Sequence, residues 1–87
     1  MREREVEAHL VKRVKDLGGE VRKVEWIGRN GAPDRFVMLP FGCVWVELKA
    51  PGQKAKPHQI REHARLRAKG QIVLVLDSIE AVEEWLA

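Results

Sequence analysis

The chain has 87 residues, which suits one domain with a modest core, and residues 1–87 are read as a single domain. Hydrophobic residues make up 45% and charged residues 33%, a balance that excludes a disordered chain, while a formal charge of +3 by itself says little about partners. Cys43 is the only cysteine, so an intrachain disulfide and a cysteine-based zinc cluster are excluded. The charged start, Met1 to Glu7, lacks the apolar segment of a signal peptide. No apolar run approaches the roughly 18 residues of a membrane span. A protein of the reducing cytoplasm is expected.

Val6, Leu10, Val14 and Leu17 recur at helical spacing and predict a helix over Glu3 to Leu17, stopped by Gly18-Gly19. Val21 to Trp26 alternates imperfectly and is read as a strand. Gly28, Asn30, Gly31 and Pro33 make Ile27 to Pro33 a loop. Arg35 to Leu39 and Cys43 to Lys49 flank the tight turn Pro40-Phe41-Gly42 and predict an antiparallel hairpin. A loop over Ala50 to Lys56 leads to a helix that starts at Pro57, runs to about Lys69 and ends at Gly70. Ile72-Val-Leu-Val-Leu76 reads as a strand buried on both faces. Ser78 caps a last helix, Ile79 to Leu86. This order, α-β-β-β-α-β-α, predicts an α/β sandwich around one sheet.

Two charged residues are out of place in the apolar strand Val44-Trp45-Val46-Glu47-Leu48-Lys49. Side chains alternate faces, so Val44, Val46 and Leu48 share one and Trp45, Glu47 and Lys49 the other. If opposed residue numbers in the hairpin sum to 81, Asp34 faces Glu47; if they sum to 83, it faces Lys49. Either odd register gathers Asp34, Glu47 and Lys49 on one face, and an even one separates them. Adjacent carboxylates repel. A hard divalent cation, Mg²⁺ or Mn²⁺, would relieve that repulsion, because Mg²⁺ takes one or two protein carboxylates and keeps waters and phosphate oxygens. Lys49 beside them could stabilise developing charge or help position a water. A salt bridge serving stability alone is the competing reading.

Bases gather between Lys49 and Lys69, against the single acid Glu62. Arg61, Arg65 and Lys69 form a stripe that could follow a phosphate backbone or simply be solvated. Arg29 and Arg35 flank the proposed site on one side, and Lys54 and Lys56 stand in the loop after the acidic strand. His9, His58 and His63 read as surface or core histidines, although His63 lies one turn after Gln59 and could line the same cleft. Trp45 shares a strand face with Glu47, so core packing is favoured over base stacking. Neither a phosphate-binding P-loop nor a Rossmann fingerprint nor a Ser/His/Asp signature is found.

Pro33-Asp34, a hairpin, then Glu47-Leu48-Lys49 resembles the signature of the PD-(D/E)XK nuclease superfamily. The fuller string is similar to its VRR-NUC domain. It comprises a first helix with Glu7 that ends in Gly18-Gly19, then Gly31-Ala-Pro-Asp-Arg35, Val46-Glu-Leu-Lys49, Pro57-x-Gln59, and Gly70 before an apolar strand. The likeness spans about Glu3 to Leu76. It implies a restriction-endonuclease-like αβββαβ core, a mixed sheet flanked by helices, with a short C-terminal helix added.

It also implies a metal-dependent DNA endonuclease that acts as a homodimer on branched DNA such as four-way junctions, in a bacterial or phage-infected cell. By position, Asp34, Glu47, the Leu48 carbonyl and Glu7 would hold the metal, with Glu3 and Glu5 competing with Glu7. Lys49 would orient or activate the attacking water, and Gln59 would lie near the active site. Two other function classes compete: a DNA-binding module without catalysis, and a structural or protein-interaction domain.

Overall fold

The computed structural model describes residues 2–87; Met1, part of the charged start read above, lies outside the described residues. Helix α1 spans Glu3–Asp16 and is set by an apolar row, Val6, Leu10 and Val14, each wholly buried. Glu3 and Glu5 in its first turn and Arg13 and Lys15 in its last complement the helix dipole. The two glycines that end it have separate reasons. Gly18 takes a left-handed φ of 84°. Gly19 approaches the second strand so closely that a Cβ there would lie 2.2 Å from the Met38 carbonyl oxygen.

Four strands follow: β1 (Glu20–Lys23), β2 (Arg35–Leu39), β3 (Gly42–Leu48) and β4 (Val73–Leu76). Helix α2 (Pro57–Ala68) joins β3 to β4, and α3 (Ile79–Leu86) closes the chain. The sheet order is β1-β2-β3-β4. The first two pairings are antiparallel and β3–β4 is parallel, so the sheet is mixed. Among the described residues no helix is long and apolar enough to cross a membrane.

The element order matches the sequence reading, with two differences. The first strand ends at Lys23 rather than Trp26. Its last rung is the Val24 amide donating to the Asp34 carbonyl at 2.9 Å. Beyond it the chain leaves the sheet, and Trp26 Nε1 bonds the Pro33 carbonyl at 2.8 Å, closing the loop that enters β2. The second difference is β4. It lies at the sheet edge, so Leu74 and Val75 are only half-buried and Ile72 before them is exposed. The strand buried on both sides is β3.

The hairpin register pairs Arg35 with Val46 and Val37 with Val44, the sum of 81. Val37, Val44, Val46 and Leu48 therefore face one way and pack with Val6, Leu10 and Val14 of α1 and Val82 of α3. Ser78 Oγ caps α3 by accepting from the Ala81 amide at 3.0 Å. On the opposite face Trp45 packs between Phe36 (ring centroids 4.5 Å apart) and Trp26 (5.0 Å). Helix α2 covers this second face, with Arg67 bonded to the Val73 carbonyl of β4 at 2.6 Å.

Candidate active site

One step beyond the Arg35–Val46 pair, the same register sets Asp34 opposite Glu47 at the end of the sheet. The Leu48 amide lies 3.5 Å from Asp34 Oδ1, which ties the start of β2 to the end of β3. Glu47 is only 6% exposed, buried on a central strand beneath α2. Its carboxyl is pushed up to about 7, first by burial and next by the negative charge of Asp34. Lys49, on the same face, pulls it back down, and Arg35 does so more weakly. The two neighbouring bases therefore offset only part of what burial and Asp34 do to Glu47.

A divalent cation would supply further positive charge. Among the described residues no three His, Cys, Asp or Glu side chains are grouped to hold an ion. The donors that fit are two carboxylates on adjacent strands, a set suited to an oxygen-seeking ion that keeps several waters.

Arg35 joins the two sides of this site. Its side chain emerges on the α1 face and is 7% exposed. Its Nε donates to Glu7 Oε2 at 2.6 Å, and its NH1 group reaches both Asp34 Oδ2 at 2.9 Å and the Asp34 carbonyl at 3.1 Å. A guanidinium so engaged is committed to carboxylates, not open to a phosphate backbone. It also bridges Glu7 of α1 to Asp34. Of the acids at the start of α1, Glu3 is one whose charge further raises Glu47. Arg2, Glu3, Arg4, Glu7 and Arg35 line an open cavity of about 330 Å³ beside the site.

The remaining sequence-predicted residues divide into two groups. Arg29 and Arg65 both pair with Glu62 of α2, whose side chain is nearly buried. That pairing holds the Glu62 carboxyl below its usual range, the hydrogen bond from Arg29 being the largest cause. Lys54, Lys56 and Arg61 are exposed. Gln59 Oε1 accepts from the Lys56 amide at 2.8 Å, which caps the start of α2. Gly31 packs against that helix start, where a Cβ would lie 2.8 Å from the His58 carbonyl oxygen.

The structure adds His63. It is 1% exposed, and its Nε2 lies 3.7 Å from Glu47 Oε1. Burial holds the imidazole below its ordinary value, Arg67 and Lys49 push it the same way, and the Gly31 backbone and Glu62 oppose them. The available sequence signal was its place one turn after Gln59.

No protein-family model matches the chain. The chain is 53% identical over 79 residues to "Putative nuclease p44" of Acyrthosiphon pisum secondary endosymbiont phage 1, spanning 90% of this chain and 85% of that protein. A solved structure described as "VRR_NUC domain" is 42% identical, with a TM-score of 0.89 over 97% of this chain and 92% of that one.

Proposed function

The chain belongs to the VRR-NUC nuclease family, and on that premise we propose that it hydrolyses DNA phosphodiester bonds with a divalent cation, Mg²⁺ or Mn²⁺, held by Asp34 and Glu47. The observation that carries this reading is the register that sets half-exposed Asp34 opposite buried Glu47 at the end of the sheet, where Asp34 helps raise Glu47 to about 7. A base paired closely with Glu47 favours its charged form, and Lys49 and Arg35 do so only in part. The Leu48 carbonyl lies next in sequence to Glu47 and is the main-chain oxygen assigned to the same cation.

A cation bound there polarises the scissile phosphate and acidifies a water. The chain's own residues do the rest. Asp34 and Glu47 fix the position of the charge, and Arg35 holds Asp34 in place from the side. Lys49 presents an ammonium on the same strand face, where it orients the attacking water and stabilises negative charge growing on the phosphate. Gln59 has committed its Oε1 to the α2 cap, which leaves its amide N–H groups for the substrate. Lys54, Lys56 and Arg61 are exposed and form no salt bridge among the described residues, and they are the groups we assign to the phosphate backbone. Arg29 and Arg65 contribute less, since both already serve Glu62.

Branched DNA is the substrate class we favour, cut by a homodimer. A chain this small carries one carboxylate pair and a short basic surface, and two copies about a two-fold axis would present two sites to a four-way junction. Labelled four-way junction, splayed-arm and linear duplex DNA, each with Mg²⁺, Mn²⁺ or EDTA, tests both levels. Cutting that needs a divalent ion and favours the junction is expected. Cutting in EDTA would overturn the cation assignment, equal cutting of linear duplex would overturn the junction preference, and binding without cutting would indicate a DNA-binding module. Light scattering that gives a monomer while junction cutting persists would remove the dimer.

A further inference from the structure

Helix α2 buries an unusual pair of side chains. Among the described residues its two buried positions are Glu62 and His63, neither of them apolar. Glu62 has its arginines. His63 Nε2 is a buried polar atom without a hydrogen-bond partner among the described residues. Leaving such an atom unpaired costs stability, and a leucine of similar bulk would escape that cost. The atom is 3.7 Å from Glu47 Oε1, just beyond hydrogen-bond range, and both side chains are walled in by the sheet and α2. A small turn of either group closes the gap.

We propose that His63 is a positioning residue for Glu47: with the imidazole proton on Nε2, it donates to Oε1 and orients the carboxylate, leaving the second oxygen for the cation. This rests on the cation assignment made above and adds to it the residue that aims one of the two carboxylates. Groups that hold a metal ligand from behind set its orientation, and their loss commonly weakens metal binding by about 10–100-fold. His63 reaches Glu47 from a different element, so the α2–sheet contact and the shape of the cation site depend on the same side chain. The charged groups facing the imidazole are Lys49, just past the end of β3, and Arg67 and Glu62 of α2.

Titration of Mn²⁺ alone into the DNA-free protein tests this, with heat as the readout and thermal melting as the fold control. His63→Leu should weaken Mn²⁺ binding about tenfold, while the metal-free melting temperature holds or rises because an unpaired buried polar atom has gone. His63→Gln, whose amide N–H reaches about as far as Nε2, should stay within about threefold of wild type. If His63→Leu does not fold, His63→Gln against His63→Asn decides, since the shorter amide falls short of Oε1 and should bind Mn²⁺ weakly.

Wild-type affinity in His63→Leu overturns the proposal. So does a His63→Gln protein as weak as His63→Leu or, where that variant does not fold, as weak as His63→Asn. Asp34→Ala serves as the reference. Wild type that binds no Mn²⁺ overturns the cation site and this proposal together. Wild type that binds, Asp34→Ala that does not and His63→Leu that binds normally overturns only the role of His63.

Discussion

The two faces of the sheet are built from the same strands and bury opposite kinds of side chain. Toward α1 and α3 lie Val37, Val44, Val46 and Leu48, meeting Val6, Leu10, Val14 and Val82. Toward α2 lie an aromatic group, Trp26, Phe36 and Trp45, and then Glu47 with His63 above it. The first face satisfies every demand of folding: apolar area leaves water and no polar group is stranded. The second breaks the same rules, with a carboxylate raised to about 7 and an imidazole nitrogen left unpaired. A domain of this size has little stability to give away. Under the proposed cation site, the charge on the α2 face is what would do the chemistry, and the α1 face carries the apolar core that makes it tolerable.

Substitutions on the two faces should therefore fail in different ways. The largest effect belongs to the acids' face. Asp34→Ala or Lys49→Ala should slow DNA cleavage about a hundredfold to a thousandfold, the scale of losing one electrostatic group at a reacting centre. Both proteins should melt within a few degrees of wild type. A Lys49→Ala protein that cuts normally would break the assignment of that side. Next comes Leu10→Ala on the apolar face, expected to cost about 2–5 kcal/mol in denaturant titration while any folded fraction cuts at the wild-type rate.

The third test sets charge against stability directly. Glu47 is raised on folding, so the folded metal-free state holds its proton more tightly than the unfolded chain does. That contribution is fully present below about 4.5 and fades as pH rises through about 7. Metal-free Glu47→Gln should accordingly be more stable than wild type at pH 8, by about 3 kcal/mol, and should lose the advantage at pH 4. Mg²⁺ or Mn²⁺ should stabilise wild type and not the variant. An unchanged melting profile would mean that Asp34 and burial do not strain Glu47.

The smallest effects lie at the surface. Lys56→Ala should weaken binding to all DNA forms alike and lower the salt dependence by about one charge. Arg29→Ala should act on the fold more than on DNA, lowering the melting temperature less than Leu10→Ala does, because it strips Glu62 of one of its two partners.

Much of this arrangement could be read from local pattern. The row Val6, Leu10, Val14 gave α1, and Gly18-Gly19 its end. Alternation along Val44 to Lys49 set Glu47 and Lys49 against the apolar set, and the odd register then aligned Asp34 with Glu47. What escaped depends on distant pairs. Arg35 meets Glu7 across 28 residues, and Arg29 meets Glu62 across 33, so both arginines look free in sequence. His63 escaped for a related reason: α2 has no apolar stripe to reveal its inner side, since Ile60 is exposed and Leu66 only half-buried. The edge place of β4 was hidden as well, because a continuous apolar run does not say how many neighbours a strand has.

Cleavage of four-way junction DNA by Glu47→Gln in Mg²⁺ or Mn²⁺, beside wild type, tests most directly the claim that the α2 face trades stability for chemistry. The substitution keeps the shape of the side chain and removes only its charge. The expected result is a folded protein that cuts about a hundredfold to a thousandfold more slowly. A variant that cuts at the wild-type rate would contradict the account, leaving Glu47 as a buried acid with no part in the reaction.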